Sequence, residues 1–191
     1  MVMPPMCERK KSAKEKFAFA LLELINKKPL DKVTVTDITE VADLTRQTFY
    51  RNFKDKYDLV NWYFEKLCMQ SFREMGVSCT LEEGLIKKFT FIKSERRFFT
   101  EAFLQKDCNS LVEYDYECIY EFYQNILKKK LPFVSEDFDF LLRMYCRGSI
   151  QMTVEWVRQG MQQNIEKIVS LLLESMPDRL KPYLMERNKE Y

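Results

Sequence analysis

A chain of 191 residues with a net charge of +2, 46% hydrophobic and 14% aromatic, can fill one large core or two small ones. Only four Gly and six Pro, against abundant Leu, Lys, Glu and Phe, argue for an all-helical protein. The chain has no histidine, which removes the commonest general base, the Ser-His and Cys-His nucleophile pairs and the commonest metal ligand. Neither GxGxxG nor GxxxxGK[ST] occurs, so no phosphate loop is expected. Six scattered cysteines (Cys7, Cys68, Cys79, Cys108, Cys118, Cys146) form no CxxC pair and read as free thiols in a reducing cytoplasm. The apolar runs are short and interrupted by charge, so neither a signal peptide nor a membrane span is expected. Together these features predict a cytoplasmic protein with no cofactor, no metal and no catalytic constellation.

Residues 1–11 are a short basic lead-in containing Pro4 and Pro5. Arg9, Lys10 and Lys11 there suit either a phosphate backbone or plain solvent. A first helix is expected from Ser12 to Asn26, with Phe17, Leu21, Leu24 and Ile25 on one face and Lys27-Lys28-Pro29 at its end. Thr34 is placed to cap a second helix, with Asp37 at its positive end and Val35, Ile38, Val41 and Ala42 forming its buried stripe. Asp43-Leu44 reads as a turn, since Asp tolerates a left-handed backbone. Thr45 caps a third helix of about two turns, Arg46 to Phe53, anchored by Phe49 and Phe53.

Two short helices joined by a tight turn, the second one polar outside, have the anatomy of a helix-turn-helix reader. Its outer side chains are Arg46, Gln47, Thr48, Tyr50, Arg51 and Asn52. Arg pairs bidentately with guanine and Gln with adenine, while Thr offers a methyl and a hydroxyl. Tyr50 and Lys56 are expected at phosphates, Lys56 through its ammonium and the amides that open the next helix. With the caps Thr34 and Thr45, these nine residues are the candidate DNA-binding set. Residues 1–60 hold 12 Lys/Arg against 9 Asp/Glu, and the remainder 19 against 20, so the basic excess lies in the first third.

A long helix is expected from Lys56 to about Met75, carrying Leu59, Trp62, Tyr63 and Leu67, with Gly76 and 78–80 at its end. Five more helices follow: Leu81 to Lys93 behind Thr80, Glu95 to Leu104 behind Ser94, Ser110 to about Lys130, Ser135 to about Gln159, and about Gln162 to Met176. Pro177 stops the last one, and with Pro182 the remaining tail is not expected to be continuous helix. The total is about nine helices in two parts, a head at 1–55 and a body at 56–191.

Thr34, Ile38, Thr45 and the run Tyr50, Phe53, Lys56, Leu59 resemble the motif of the TetR/AcrR family of bacterial transcription regulators. The resemblance is specific from Ala13 to Trp62, and the chain carries Asp43 where the family commonly has Gly. Tyr57 to Trp62 looks like the branch related to dihydroxyacetone kinase operon regulators. The resemblance implies a homodimer on a palindromic operator in double-stranded DNA, with repression the commoner outcome. It places the dimer interface on the last two long helices, with Gly148 and Ser149 allowing close approach and Met152, Trp156, Ile165, Ile168, Val169 and Leu172 as contacts. It also implies a sensing pocket in the body, for which Phe99, Phe103, Tyr116, Tyr120, Met144 and Tyr145 are the candidates. A small-molecule effector or a protein partner would act there. A Tyr/Phe stripe also suits an ordinary core, and a helical protein–protein adaptor without DNA binding is the alternative use of the same helices.

Overall fold

The computed structural model describes residues 11–74, 80–105 and 110–185, with side chains described for these except 67–74. The described residues form ten α-helices and one 3-10 turn, and they contain no strand. The chain divides into two compact units, Met1–Leu59 and Val60–Tyr191. Expected candidates at Arg9, Lys10, Leu67, Gly76, 78–79 and 106–109 lie outside what is described.

In the head, α1 (Ala13–Lys27) begins at a capping box in which Ser12 accepts from the Glu15 amide and Glu15 accepts from the Ser12 amide. A 3-10 turn (Leu30–Lys32) follows Pro29, then α2 (Val35–Ala42) and α3 (Arg46–Asn52). Thr34 and Asp37 form a second capping box, and the Asp37 carboxylate also takes the Lys28 ammonium at 2.7 Å. The turn places Asp43 at φ 52, ψ 50, the left-handed conformation expected of it. Two expected core positions differ, Val35 being only half-buried. Val41 is 40% exposed, and Thr39 is buried in its place, its hydroxyl donating to the Thr36 carbonyl at 2.9 Å. Helical drift across an eight-residue helix turns position 41 off the inward face, and the back-bond lets a hydroxyl go inside.

α1 packs on α2 and α3 around Phe17, Phe49 and Phe53, whose rings meet pairwise at 5.2–6.3 Å. Phe17 and Phe49 are fully buried, and each such side chain stabilises the head by about 1.5–3 kcal/mol through area removed from water. The acidic cap has a pH signature. The hydrogen bond from Lys28, with those from Thr34, holds the Asp37 carboxyl down at about 2, below its ordinary 3.8. A depressed carboxyl stabilises the fold above its unfolded value and loses that contribution as pH falls through the folded one. Asp37→Asn is therefore expected to be less stable than the native chain at pH 7. In urea titrations the difference should close between about pH 4 and pH 2. A gap that stays constant over that window would exclude this linkage.

α4 (Lys56–Glu74) opens in the head and continues in the body, whose other helices are α5 (Leu81–Ser94), α6 (Arg96–Phe103), α7 (Leu111–Lys130), α8 (Glu136–Arg158), α9 (Ile165–Glu174) and α10 (Lys181–Leu184). α7 packs along α8, α6 also meets α8, α5 packs on α9, and α10 lies on α7. Thr80 and Ser135 cap as expected, accepting from the Glu83 and Phe138 amides. Ser94 does not cap α6. It ends α5, with its hydroxyl donating to the Phe91 carbonyl, and Glu95 is the residue between the two helices. Ser110 precedes α7 without a capping hydrogen bond. The last long helix starts three residues later than expected, because Gly160 (φ 79) and Met161 (φ 55) turn the chain left-handed and Asn164 supplies the cap. The tail folds again as α10, with Pro182 in its first turn, where a missing N–H costs nothing.

Candidate nucleic-acid interface

α3 is held from inside and free outside. Phe49 and Phe53 lock it to Phe17, while Arg46, Gln47, Tyr50 and Arg51 are exposed. Arg46, Gln47 and Arg51 have no hydrogen-bond or ion-pair partner among the described residues. Tyr50 is 52% exposed, with its ring edge-on to Phe49 at 5.6 Å. The other four candidates on these helices have internal duties. Thr45 accepts from the Thr48 amide, and the two threonine hydroxyls bond each other at 2.9 Å. Asn52 donates to the Thr48 carbonyl at 2.8 Å. Thr34 uses its hydroxyl both to accept from the Asp37 amide and to donate to the Asp37 carboxylate.

Lys56 departs from its expected role. Its ammonium donates to the carbonyls of Leu30 at 2.8 Å, Asp31 at 3.0 Å and Val33 at 2.9 Å, all in or beside the 3-10 turn. Three donors meet three acceptors, so the cation is committed inside the head. Burial lowers its pKa, opposed chiefly by Asp31. Two of the amides that open α4 are also taken. Asp55 accepts from the Tyr57 amide at 2.7 Å and the Asp58 amide at 2.9 Å, and Asp58 accepts from the Lys54 amide at 2.9 Å. Two carboxylates at that end repel a phosphate rather than cradle it. Lys11 of the lead-in lies 4.0 Å over the Phe19 ring.

The six pocket candidates in the body are not brought together. Phe99 and Phe103 are fully packed in an aromatic cluster with Phe64, Phe91 and Phe98. Tyr116 stacks on Tyr120 under the Arg147 guanidinium, which also clasps Glu113, while the Tyr120 hydroxyl bonds Asp139. Met144 is 61% exposed. Tyr145 lines a cavity of about 20 Å³ together with Lys88, Tyr123, Ser149, Thr153 and apolar neighbours. Beside it Lys88 and Asp115, both buried, form a two-point ion pair at 2.9 and 3.0 Å. The sequence carried a signal for this pair. Lys88 recurs with Leu81, Leu85 and Ile92 on the apolar face of α5, and Asp115 with Leu111 and Ile119 on that of α7. Opposite charges on two apolar faces find each other. Burial pushes the Cys118 thiol up to about 11 and Cys146 to about 12, the reverse of what a reactive thiol needs.

Of the expected dimer contacts, Trp156, Ile168, Val169 and Leu172 belong to the body's own core. Trp156 meets Phe89 at 5.1 Å, and its indole N–H donates to the Gln163 carbonyl at 3.0 Å. Ile165 is half-buried, while Gly148 is exposed, with open space where a Cβ would project, and Met152 is 45% exposed. Among the described residues no group of three or more His, Cys, Asp or Glu is disposed to hold a metal, and no helix is long and apolar enough to cross a membrane.

Three packed helices with an outward polar third helix, joined to a larger helical body, define a helix-turn-helix protein. The profile of bacterial regulatory proteins of the tetR family matches residues 20–61, and that of a transcriptional regulator C-terminal region matches 79–178. The chain belongs to the TetR family and is a transcriptional regulator. Among solved structures it is similar to the dihydroxyacetone kinase operon activator DhaS, at 18% identity and TM-score 0.64, over 90% of this chain and 98% of that one. It is also similar to NalD, the secondary repressor of the MexAB-OprM multidrug efflux pump in Pseudomonas aeruginosa, at 15% identity and TM-score 0.51, over 91% and 98%. At these identities the likeness is one of fold. A search of curated protein sequences finds no match.

Proposed function

We propose that this regulator is a cytoplasmic, non-enzymatic homodimer that binds a palindromic operator through two copies of α3, with its affinity set by an effector or protein partner at the body. The observation that carries this is the outward row Arg46, Gln47, Tyr50 and Arg51 on a helix whose inner side is locked by aromatic packing. Gln47, near the helix start, is the base reader, and Arg46 contacts a base edge or a phosphate. Tyr50 and Arg51 take phosphates and fix register. A single head spans only a few base pairs, so two must be presented about 34–36 Å apart. The fold itself serves an activator in DhaS and a repressor in NalD.

The test is a fluorescence-anisotropy titration against DNA flanking the gene, with random competitor and two salt concentrations. Two chains per site and tight, salt-dependent binding to one palindrome are expected. Arg51→Ala should reduce the salt slope by about one and weaken all sequences alike, whereas Gln47→Ala should relax discrimination at particular base pairs. Equal affinity for operator and random DNA, unmoved by either change, would overturn the reading in favour of an adaptor.

Exposure supports a dimer face on α8 and α9. Met144, Gly148 and Met152 stand outward at four-residue spacing on α8, and Leu171 of α9 is 42% exposed. Met144→Glu with Met152→Glu is expected to give folded monomers in sedimentation analysis and weakened operator binding. Trp156→Ala should instead unfold the body, at a cost of about 3–5 kcal/mol, because that ring fills the protomer core. A double glutamate variant that stays dimeric would move the interface elsewhere.

A further inference from the structure

The cavity in the body is built unlike its surroundings. Its lining is mixed: Leu85, Phe89, Ile119, Ile150 and Leu172 are apolar, while Lys88, Tyr123, Tyr145, Ser149 and Thr153 carry polar atoms. Ser149 and Thr153 donate their protons to the backbone carbonyls of Cys146 and Ser149 at 3.0 and 2.8 Å. Their oxygens therefore remain as acceptors toward the cavity. Tyr123 and Tyr145 also line it, and a phenol O–H can donate as well as accept. Lys88 and Asp115 neutralise one another at the rim, their side chains only 5% and 0% exposed.

We infer that this cavity takes a small uncharged molecule that combines hydroxyl groups with a short alkyl part. The inference rests on the effector-responsive reading above and specifies its site and chemistry. Net charge is the deciding argument. The ion pair already balances, so a charged ligand would place an uncompensated charge in a buried site, whereas hydroxyls find both donors and acceptors. Size supplies the coupling. At about 20 Å³ the space holds roughly one water, so a ligand of several heavy atoms fits only an expanded arrangement of these side chains. A ligand that fits one arrangement and not the other shifts the equilibrium between them.

The probes are propane-1,2-diol, which has one methyl and two hydroxyls, and lactate, which keeps the three-carbon skeleton and adds a charge. Trp156 is the reporter, because its ring lies against Phe89 of the cavity wall, and Trp62→Phe silences the other tryptophan. Propane-1,2-diol should change Trp156 emission saturably, with half-saturation on the order of 1–10 mM, and lactate should bind at least about tenfold more weakly. Thr153→Val, which keeps side-chain shape, should weaken the diol about fivefold. Lys88→Met with Asp115→Leu should remove the response while the thermal unfolding transition persists. Absence of saturation, lactate binding as well as the diol, or a diol response unchanged in Thr153→Val would each overturn the inference. Operator affinity measured alongside separates the two readings. Diol binding without any change in DNA affinity leaves this site standing and removes its effector role. A DNA response that survives both cavity variants places the effector elsewhere and overturns this site.

Discussion

Lys56→Met is expected to abolish tight operator binding without lowering the salt slope of whatever binding remains. The ammonium supplies three hydrogen bonds to the carbonyls of Leu30, Asp31 and Val33, and Val33 directly precedes the Thr34 cap of α2. Lys56 thus ties the start of α4 to the start of α2, and the α2–α3 pair is positioned by that tie. Charge-assisted bonds of this kind are worth about 1.5–3 kcal/mol each before solvent competes, and the site is only partly buried. A net loss on the order of 2–3 kcal/mol in local stability is the resulting expectation. Hydrogen exchange reads this directly, since the amides of residues 30–53 should exchange roughly thirtyfold faster or more. Lys56→Arg should recover only part of the protection, because a planar fork does not match three carbonyls converging on one nitrogen. Arg51→Ala is the contrasting case, with protection intact and the salt slope reduced by about one. Unchanged protection together with a lowered salt slope in Lys56→Met would return Lys56 to the phosphate backbone.

The contrast between Lys56 and its neighbours shows which parts of this molecule can be read from its residues. Thr34, Thr45 and Thr80 were legible as caps because a cap is decided within three residues, and Asp43 was legible because its backbone conformation is a local preference. Phe49 and Phe53 followed from helical spacing. The partners of Lys56 lie 23 to 26 residues away, and no local pattern announces them. In the body, spacing identified apolar helices correctly but not which side faces inward. Trp156 and Ile168 turn to the core while Met144 and Met152 turn out, a choice made by α5, α6, α7 and the other helices they pack against. Phe99 and Phe103 were taken toward a pocket for their chemistry, yet rings of that size serve a core better than a wet site. The body's buried ion pair is marked instead by charge on apolar faces, at Lys88 and Asp115.

That pair yields the second large effect, and its sign depends on which residues are removed. Lys88→Met leaves the Asp115 carboxylate buried without its counter-charge, which is expected to destabilise the body by about 3–5 kcal/mol near neutral pH. Burial already raises the Asp115 pKa against the opposing pull of Lys88, and removing that pull raises it further. A carboxyl whose folded pKa lies above its unfolded one favours the fold while protonated and loses that advantage as pH rises. The Lys88→Met deficit should therefore shrink as the solution is acidified, until the neutral carboxyl no longer resists burial. Asp115→Leu is the mirror case. It strands an ammonium, so its deficit should ease toward alkaline pH, where Lys88 can lose its proton. The double change, Lys88→Met with Asp115→Leu, removes both desolvation costs and should be no less stable than the native chain, or more stable by about 1–4 kcal/mol. Urea unfolding of the three variants across pH 5 to 9 measures all of this. A double variant as unstable as the singles would mean that these positions matter through shape rather than charge. A stable double variant would show that the charge pair adds no net stability to the body.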